Sequence, residues 1–83
     1  MALFIDVHTI NGGISLEAVA EAHAADLAIQ DEHAVRYLRY WVDERDGKVF
    51  CLVEAPSGEA AARVHRQAHG QVADEIYQVR EGL

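Results

Sequence analysis

The chain has 83 residues, 51% apolar and 25% charged, the balance of an ordinary folded domain rather than a disordered one. Fourteen acidic side chains against seven basic ones leave a formal charge of −7, with the cations scattered from Arg36 to Arg80, so the surface repels phosphate and excludes a nucleic-acid partner. No stretch approaches the ~20 apolar residues of a membrane helix, Met1-Ala2-Leu3-Phe4-Ile5-Asp6 lacks a basic leader region, and a lone Cys51 cannot close an internal disulfide. These features point to a cytoplasmic protein with no membrane partner.

Leu3, Ile5 and Val7 alternate with Phe4, Asp6 and His8, which predicts a first strand with one clearly apolar face. Asn11-Gly12-Gly13 breaks it. Ser15 then caps a helix whose first turn carries Glu17, where the helix dipole favours a carboxylate. Leu16, Val19, Ala20, His23 and Leu27 fall on one stripe of that helix, so His23 stands where a leucine is expected.

Gln30-Asp31-Glu32-His33 reads as a polar connection with His33 in solvent. Val35–Val42 and Val49–Ala55 form a hairpin across Asp46-Gly47, a dipeptide that tolerates the positive φ of a tight turn. Pro56 ends the second strand of that pair. Ser57 caps a second helix with Ala61, Val64 and Ala68 on its apolar stripe and His65 and His69 on the border of that stripe. Gly70 stops the helix, and Val72–Val79 supplies a last strand.

The order β-α-β-β-α-β predicts an α+β, ferredoxin-like sandwich spanning residues 1–83 as one domain: a four-stranded antiparallel sheet with two helices on one face. The other face is left open, and Phe4, Tyr37 and Trp41 are assigned to it. A chain this short builds only a small core, and an apolar open face is best covered by a second copy, so a homodimer is expected through that face.

Imidazole and thiolate are the usual ligands of borderline metals. His65 and His69, four apart, stand on adjacent turns of one helix face. His23 faces them from the neighbouring helix, Cys51 lies beneath on the third strand, and Asp26 either ligates or accepts a ligand's second N–H. The expected metal site is therefore His23, Asp26, Cys51, His65 and His69, weighed against a hydrogen-bonded core cluster of the same residues. His8 is placed with Asp6 toward the dimer side, with a second interfacial site conceivable there. Thiol catalysis by Cys51 is disfavoured between Phe50 and Leu52, where a cysteine is usually a small buried hydrophobe.

Tyr40-Trp41-Val42-Asp43, Phe50-Cys51-Leu52, Glu54-Ala55-Pro56 and His65…His69-Gly70 resemble a bacterial family of small ferredoxin-like domains of unknown function that includes an actinobacterial nickel-binding protein. The resemblance implies a homodimer with nickel sites, some near the subunit interface, and binding or sequestration rather than turnover. Ni2+ is the implied ion, with Zn2+ and Cu2+ as alternatives, since affinity order alone favours copper. Dimeric ferredoxin-like domains also include cofactor-poor monooxygenases, so a small enzyme is the alternative. An apolar cavity of roughly a few hundred Å³ beside His23 would mark it.

Overall fold

The computed structural model describes residues 1–82. Its elements are β1 (Ala2–Thr9), α1 (Leu16–Ile29), a short 3-10 turn (Gln30–His33), β2 (Arg36–Asp43), β3 (Lys48–Ala55), α2 (Gly58–Ala68) and β4 (Glu75–Val79). The sheet is antiparallel in the order β2-β3-β1-β4, the ferredoxin-like arrangement, with α1 and α2 on one face. β1 is therefore central. It pairs along its whole length with β3, from Ala2 opposite Ala55 to Thr9 opposite Lys48.

Local chemistry sets the ends of these elements. Ser15 Oγ accepts from Ala18 N and Ser57 Oγ from Ala60 N, each at 3.1 Å, satisfying a donor that the first helical turn leaves free. α2 closes when Gly70, at φ 84°, turns its N–H back to His65 O at 2.8 Å. The loop after β1 is clasped to the β2–β3 turn by Ile10 N donating to Gly47 O at 2.7 Å. Gly47 has φ 69°, and a Cβ there would lie 2.0 Å from Ile10 O, so no other residue fits without moving backbone.

The core lies between sheet and helices, built on Val35, Val53, Ala55, Ala61 and Val64. Two sequence expectations are reversed here. Phe4 and Tyr37, assigned to the open face, are buried under the helices. The face of β1 that points to the helices is Phe4, Asp6 and His8, while Leu3 and Ile5 point away. Strand parity is all-or-none, so choosing the apolar residues as the inward set put every side chain of β1 on the wrong side. In β2 a register shift between Tyr37 and Arg39 lets Tyr37 and Tyr40 both face inward, three residues apart. Trp41 stays on the open face as expected, 49% exposed beside Phe50.

α1 is also rotated from its predicted stripe. Leu16 and Leu27 are exposed, and the buried line runs through Val19 and Asp26 with His23 half-buried beside it. An apolar count cannot anticipate a helix that turns an aspartate inward. β4 starts at Glu75 rather than Val72, where Asp74 accepts from Thr9 N at 2.7 Å and its own N–H reaches Val7 O at 2.9 Å.

Candidate metal centre

Four elements deliver ionisable side chains to one point under the helices. Alternation along β1 aims Asp6 and His8 at the helices, and β3 places Cys51 directly opposite Asp6 in the ladder. α1 lowers Asp26 onto them. α2 contributes His65 from the middle of its buried face, not from its border, and His69 one turn later. Asp6, His8, Asp26 and His65 are all at most 5% exposed.

His65 is the hub. Its Nδ1 lies 2.9 Å from Asp26 Oδ1 and its Nε2 lies 3.0 Å from Asp6 Oδ2. His8 Nε2 approaches it at 3.3 Å, and the Tyr37 ring packs on it with centroids 4.4 Å apart. Tyr37 Oη stands 2.9 Å from Asp6 Oδ2 and 3.1 Å from Ala61 O, tying the carboxylate to α2. Among the described residues, two buried side-chain polar atoms are left without an aligned partner: Asp6 Oδ1 and His69 Nε2. His8 Nε2 is 3.2 Å from the first and Asp26 Oδ1 is 3.1 Å from the second, distances short enough for hydrogen bonds but without the direction. An unpaired buried polar atom costs about 1–3 kcal/mol, more when charged, so small rotations of these rings that align the two contacts are favoured.

The charges are strongly coupled. Burial works to lower the His65 pKa, but hydrogen bonds from its ring to Asp26 and then Asp6 win and raise it from 6.5 to about 9, so the ring is an imidazolium at neutral pH. For Asp6, burial pushes upward, yet His65 and His8 together hold the carboxyl well below the usual range. Burial, then the Asp6 charge, raise the Cys51 thiol and keep it neutral without a metal. Burial raises Tyr37 too, so its hydroxyl stays a donor.

The cluster opens on a pocket of about 50 Å³, room for an ion with a few waters and well short of the roughly 300 Å³ of a small-molecule site. His23 lines this pocket, its ring tilted against Tyr40 with centroids 4.7 Å apart, and burial lowers its pKa. Side-chain donors come within 4.8 Å of one another in two groups that share His65: Asp6, His8, Cys51 and His65, and Asp26, His65 and His69. Four of the five residues expected from sequence thus fall in these groups, while His23 stands outside both.

Asp6 and His8 were missed. They were assigned to the dimer side, whereas the structure buries both beneath α2. His8 is therefore no interfacial residue on the open face. The available signal was Phe4-x-Asp6-x-His8, two polar groups at period two in an otherwise apolar strand. His33, expected in solvent, is half-buried and lies 2.9 Å from Gln67 Oε1.

A family model described as nickel responsive protein SCO4226-like matches residues 4–79. The crystal structure of SCO4226 from Streptomyces coelicolor A3(2) superposes with a TM-score of 0.91 at 41% identity, covering 99% of this chain and 100% of that one. No curated protein gives a significant match. A match over most of the chain, with the same fold at this identity, makes the protein a member of the SCO4226-like family of nickel responsive proteins.

Proposed function

We propose that the protein binds a divalent transition metal ion, nickel foremost with zinc and copper as alternatives, in the pocket around His65, and that it does so as a cytoplasmic homodimer. One observation carries the reading: Asp6, His8, Cys51 and His65, all buried, bring a carboxylate, two imidazoles and a thiol within 4.8 Å of one another, and His8, Cys51 and His65 also line the pocket. Asp26, Cys51, His65 and His69 are the donors that sequence and geometry share, with Asp6 and His8 added by the fold. His23, half-buried at the same pocket, is the histidine an arriving ion meets on the α1 side. The family description supports nickel as the ion to try first.

The shape of the site stands without an ion, because His65 and the two aspartates already hold one another. The pocket volume supports binding of an ion over turnover of an organic substrate. Dimerisation is supported by the open sheet face, where Trp41, Phe50 and Tyr77 are at least 36% exposed around Leu3, Ile5 and Leu52. Metal analysis of untagged protein, with Ni(II) titration calorimetry on wild type and His65→Ala, tests the binding. Equal heats from the two proteins would put the ion elsewhere.

A further inference from the structure

α1 is apolar on its outer side as well as its inner one. Of its 14 residues only Glu17, Glu21 and Asp26 carry a formal charge, and Asp26 is turned inward. A helix lying on a sheet normally keeps its apolar stripe beneath and a polar face outside, as α2 does with Glu59, Arg63, Arg66 and Gln67 in solvent. α1 instead presents Leu16 and Leu27, 48% and 45% exposed, with Ala20 and Ala24 exposed between them. At about 100° per residue these four fall within about 80° of arc, in a stripe about 16 Å long. Val19 and Asp26 serve the core from the other side of the helix.

The charge around this stripe has one sign. Residues 1–35 hold six of the 14 acidic side chains and none of the seven Lys and Arg, so they carry −6 of the formal −7, while residues 36–83 hold eight acidic against seven basic. Glu17 and Glu21, both exposed, edge the stripe along its length, and Asp31 and Glu32 stand exposed in the turn that follows α1. At the other end Glu44 Oε2 accepts from Leu16 N at 3.2 Å, which brings the β2–β3 turn, with Asp43, Glu44 and Asp46 exposed against Arg45, beside the first turn of the helix. The open sheet face is unlike it: there Arg39, Arg80 and Glu81 flank Leu3, Trp41 and Leu52 in a rim of mixed sign.

We propose that the outer flank of α1, through Leu16, Ala20, Ala24 and Leu27, docks a basic amphipathic helix of another protein. The apolar side of that helix lies on the two leucines, the alanines between them let its backbone approach closely, and its Lys or Arg side chains meet Glu17, Glu21, Asp31 and Glu32. The acidic rim selects this occupant. A second copy packing α1 on α1 about a twofold axis would set Glu17 and Glu21 against their own counterparts, and the same carboxylates repel an anionic membrane surface. Cations bordering an apolar stripe incur neither cost. The contact is small, so the complex is a transient one. The surface shares no residue with the cluster around His65 or with the open sheet face.

The test is fluorescence anisotropy of the untagged, full-length protein with two labelled peptides of about 18 residues, long enough to hold a helix. One carries leucines on one helical face and lysines on the other; the second has the same composition with its leucines spread evenly around the helix. The amphipathic peptide should bind roughly tenfold or more tighter than the second. Leu16→Gln with Leu27→Gln should weaken it by roughly tenfold or more, the worth of two half-exposed leucines returned to water. Glu17→Gln with Glu21→Gln should weaken it roughly three- to tenfold and flatten its salt dependence. Trp41→Glu, on the opposite side of the molecule, should bind as wild type does. Equal binding of the two peptides would reduce the effect to diffuse charge attraction and overturn the proposal, as would no binding of either or loss of binding in Trp41→Glu. A change in the oligomeric state of the free protein on Leu16→Gln with Leu27→Gln, read by native mass spectrometry, would give the stripe to a second copy and overturn it too. If that double variant fails to fold, the comparison of the two peptides on wild type still decides.

Discussion

Asp26 on α1 and His65 on α2 meet carboxylate to Nδ1 at 2.9 Å, with 3% and 2% of their side chains exposed. This pair joins the two helices above the sheet, and His65 carries the link down to Asp6 on the central strand. The residues that could hold a metal are therefore also those that hold helix to helix and helix to sheet. Stability and binding must respond together.

Removing the hub shows this first. His65→Ala removes the buried partner that Asp6 and Asp26 share, and breaking a buried pair by deleting one partner costs about 3–5 kcal/mol. In a chain of 83 residues that is most of the stability expected of a small domain. Urea unfolding of the metal-free variant should show a midpoint far below wild type or no cooperative transition. A change under 1 kcal/mol, about the worth of a surface pair, would mean the network contributes little.

The metal-free protein should lose stability on the alkaline side. Folding raises the His65 pKa from 6.5 to about 9, so the folded state holds the proton more tightly. That contribution is fully present below about pH 6.5 and is lost as pH rises through about 9. Its size is on the order of 3 kcal/mol. Asp6 works in the opposite sense: its carboxyl is lowered from 3.8, so its contribution is present above that value and is lost only in strong acid. Chemical denaturation across pH 5 to 10 checks the alkaline limb, which His65→Gln should flatten.

Ni(II) should protect the fold. A ligand that binds only the native state at a hundred times its Kd adds about 2.7 kcal/mol, and in a domain of this size each kcal/mol moves Tm by roughly 4–8 °C. A rise of roughly ten degrees or more on Ni(II) addition, reversed by a chelator, is the expected melting result. Tyr37→Phe should keep the fold and lower Ni(II) affinity roughly tenfold, because it frees Asp6 from the hydroxyl that orients it.

Trp41, opposite Phe50 on the open face, is half exposed in the single chain. Trp41→Glu places a charge at the centre of the proposed dimer contact, where burial without a partner is costly, and touches nothing under the helices. Native mass spectrometry should find wild type as a dimer and the variant as a monomer. A variant that remains dimeric would assign the contact to another surface.

Gly47→Ala tests the clasp between loops. Its Cβ would meet Ile10 O at 2.0 Å in a backbone with φ 69°, so a destabilisation of about 1–3 kcal/mol or more is expected. Thermal unfolding of the variant against wild type measures it.

Much of this molecule could be read along the chain. The element order, both serine caps, the Asp46-Gly47 turn, the stop at Gly70 and the helical pair His65 and His69 are local features, each governed by a few neighbouring residues. His65, Asp26 and Cys51 were singled out along the chain, because a polar group in an apolar neighbourhood is visible without coordinates, and the structure brings Asp26 and Cys51 to His65 in two separate donor groups. The error lay in facing. Asp6 and His8 went to the wrong side of β1, Tyr37 to the wrong side of β2, and Leu27 to the wrong side of α1.

That error has one physical cause. A sequence declares which residues alternate and which share a stripe, and by itself it determined the topology and most of the chemistry present. Which of two faces is buried depends on the sum of contacts from elements distant in the chain. Here Leu27 is left exposed while Asp6, Asp26 and His65 are inside, where they satisfy one another. No one of them could be buried alone, so only the tertiary structure could decide that they are buried together.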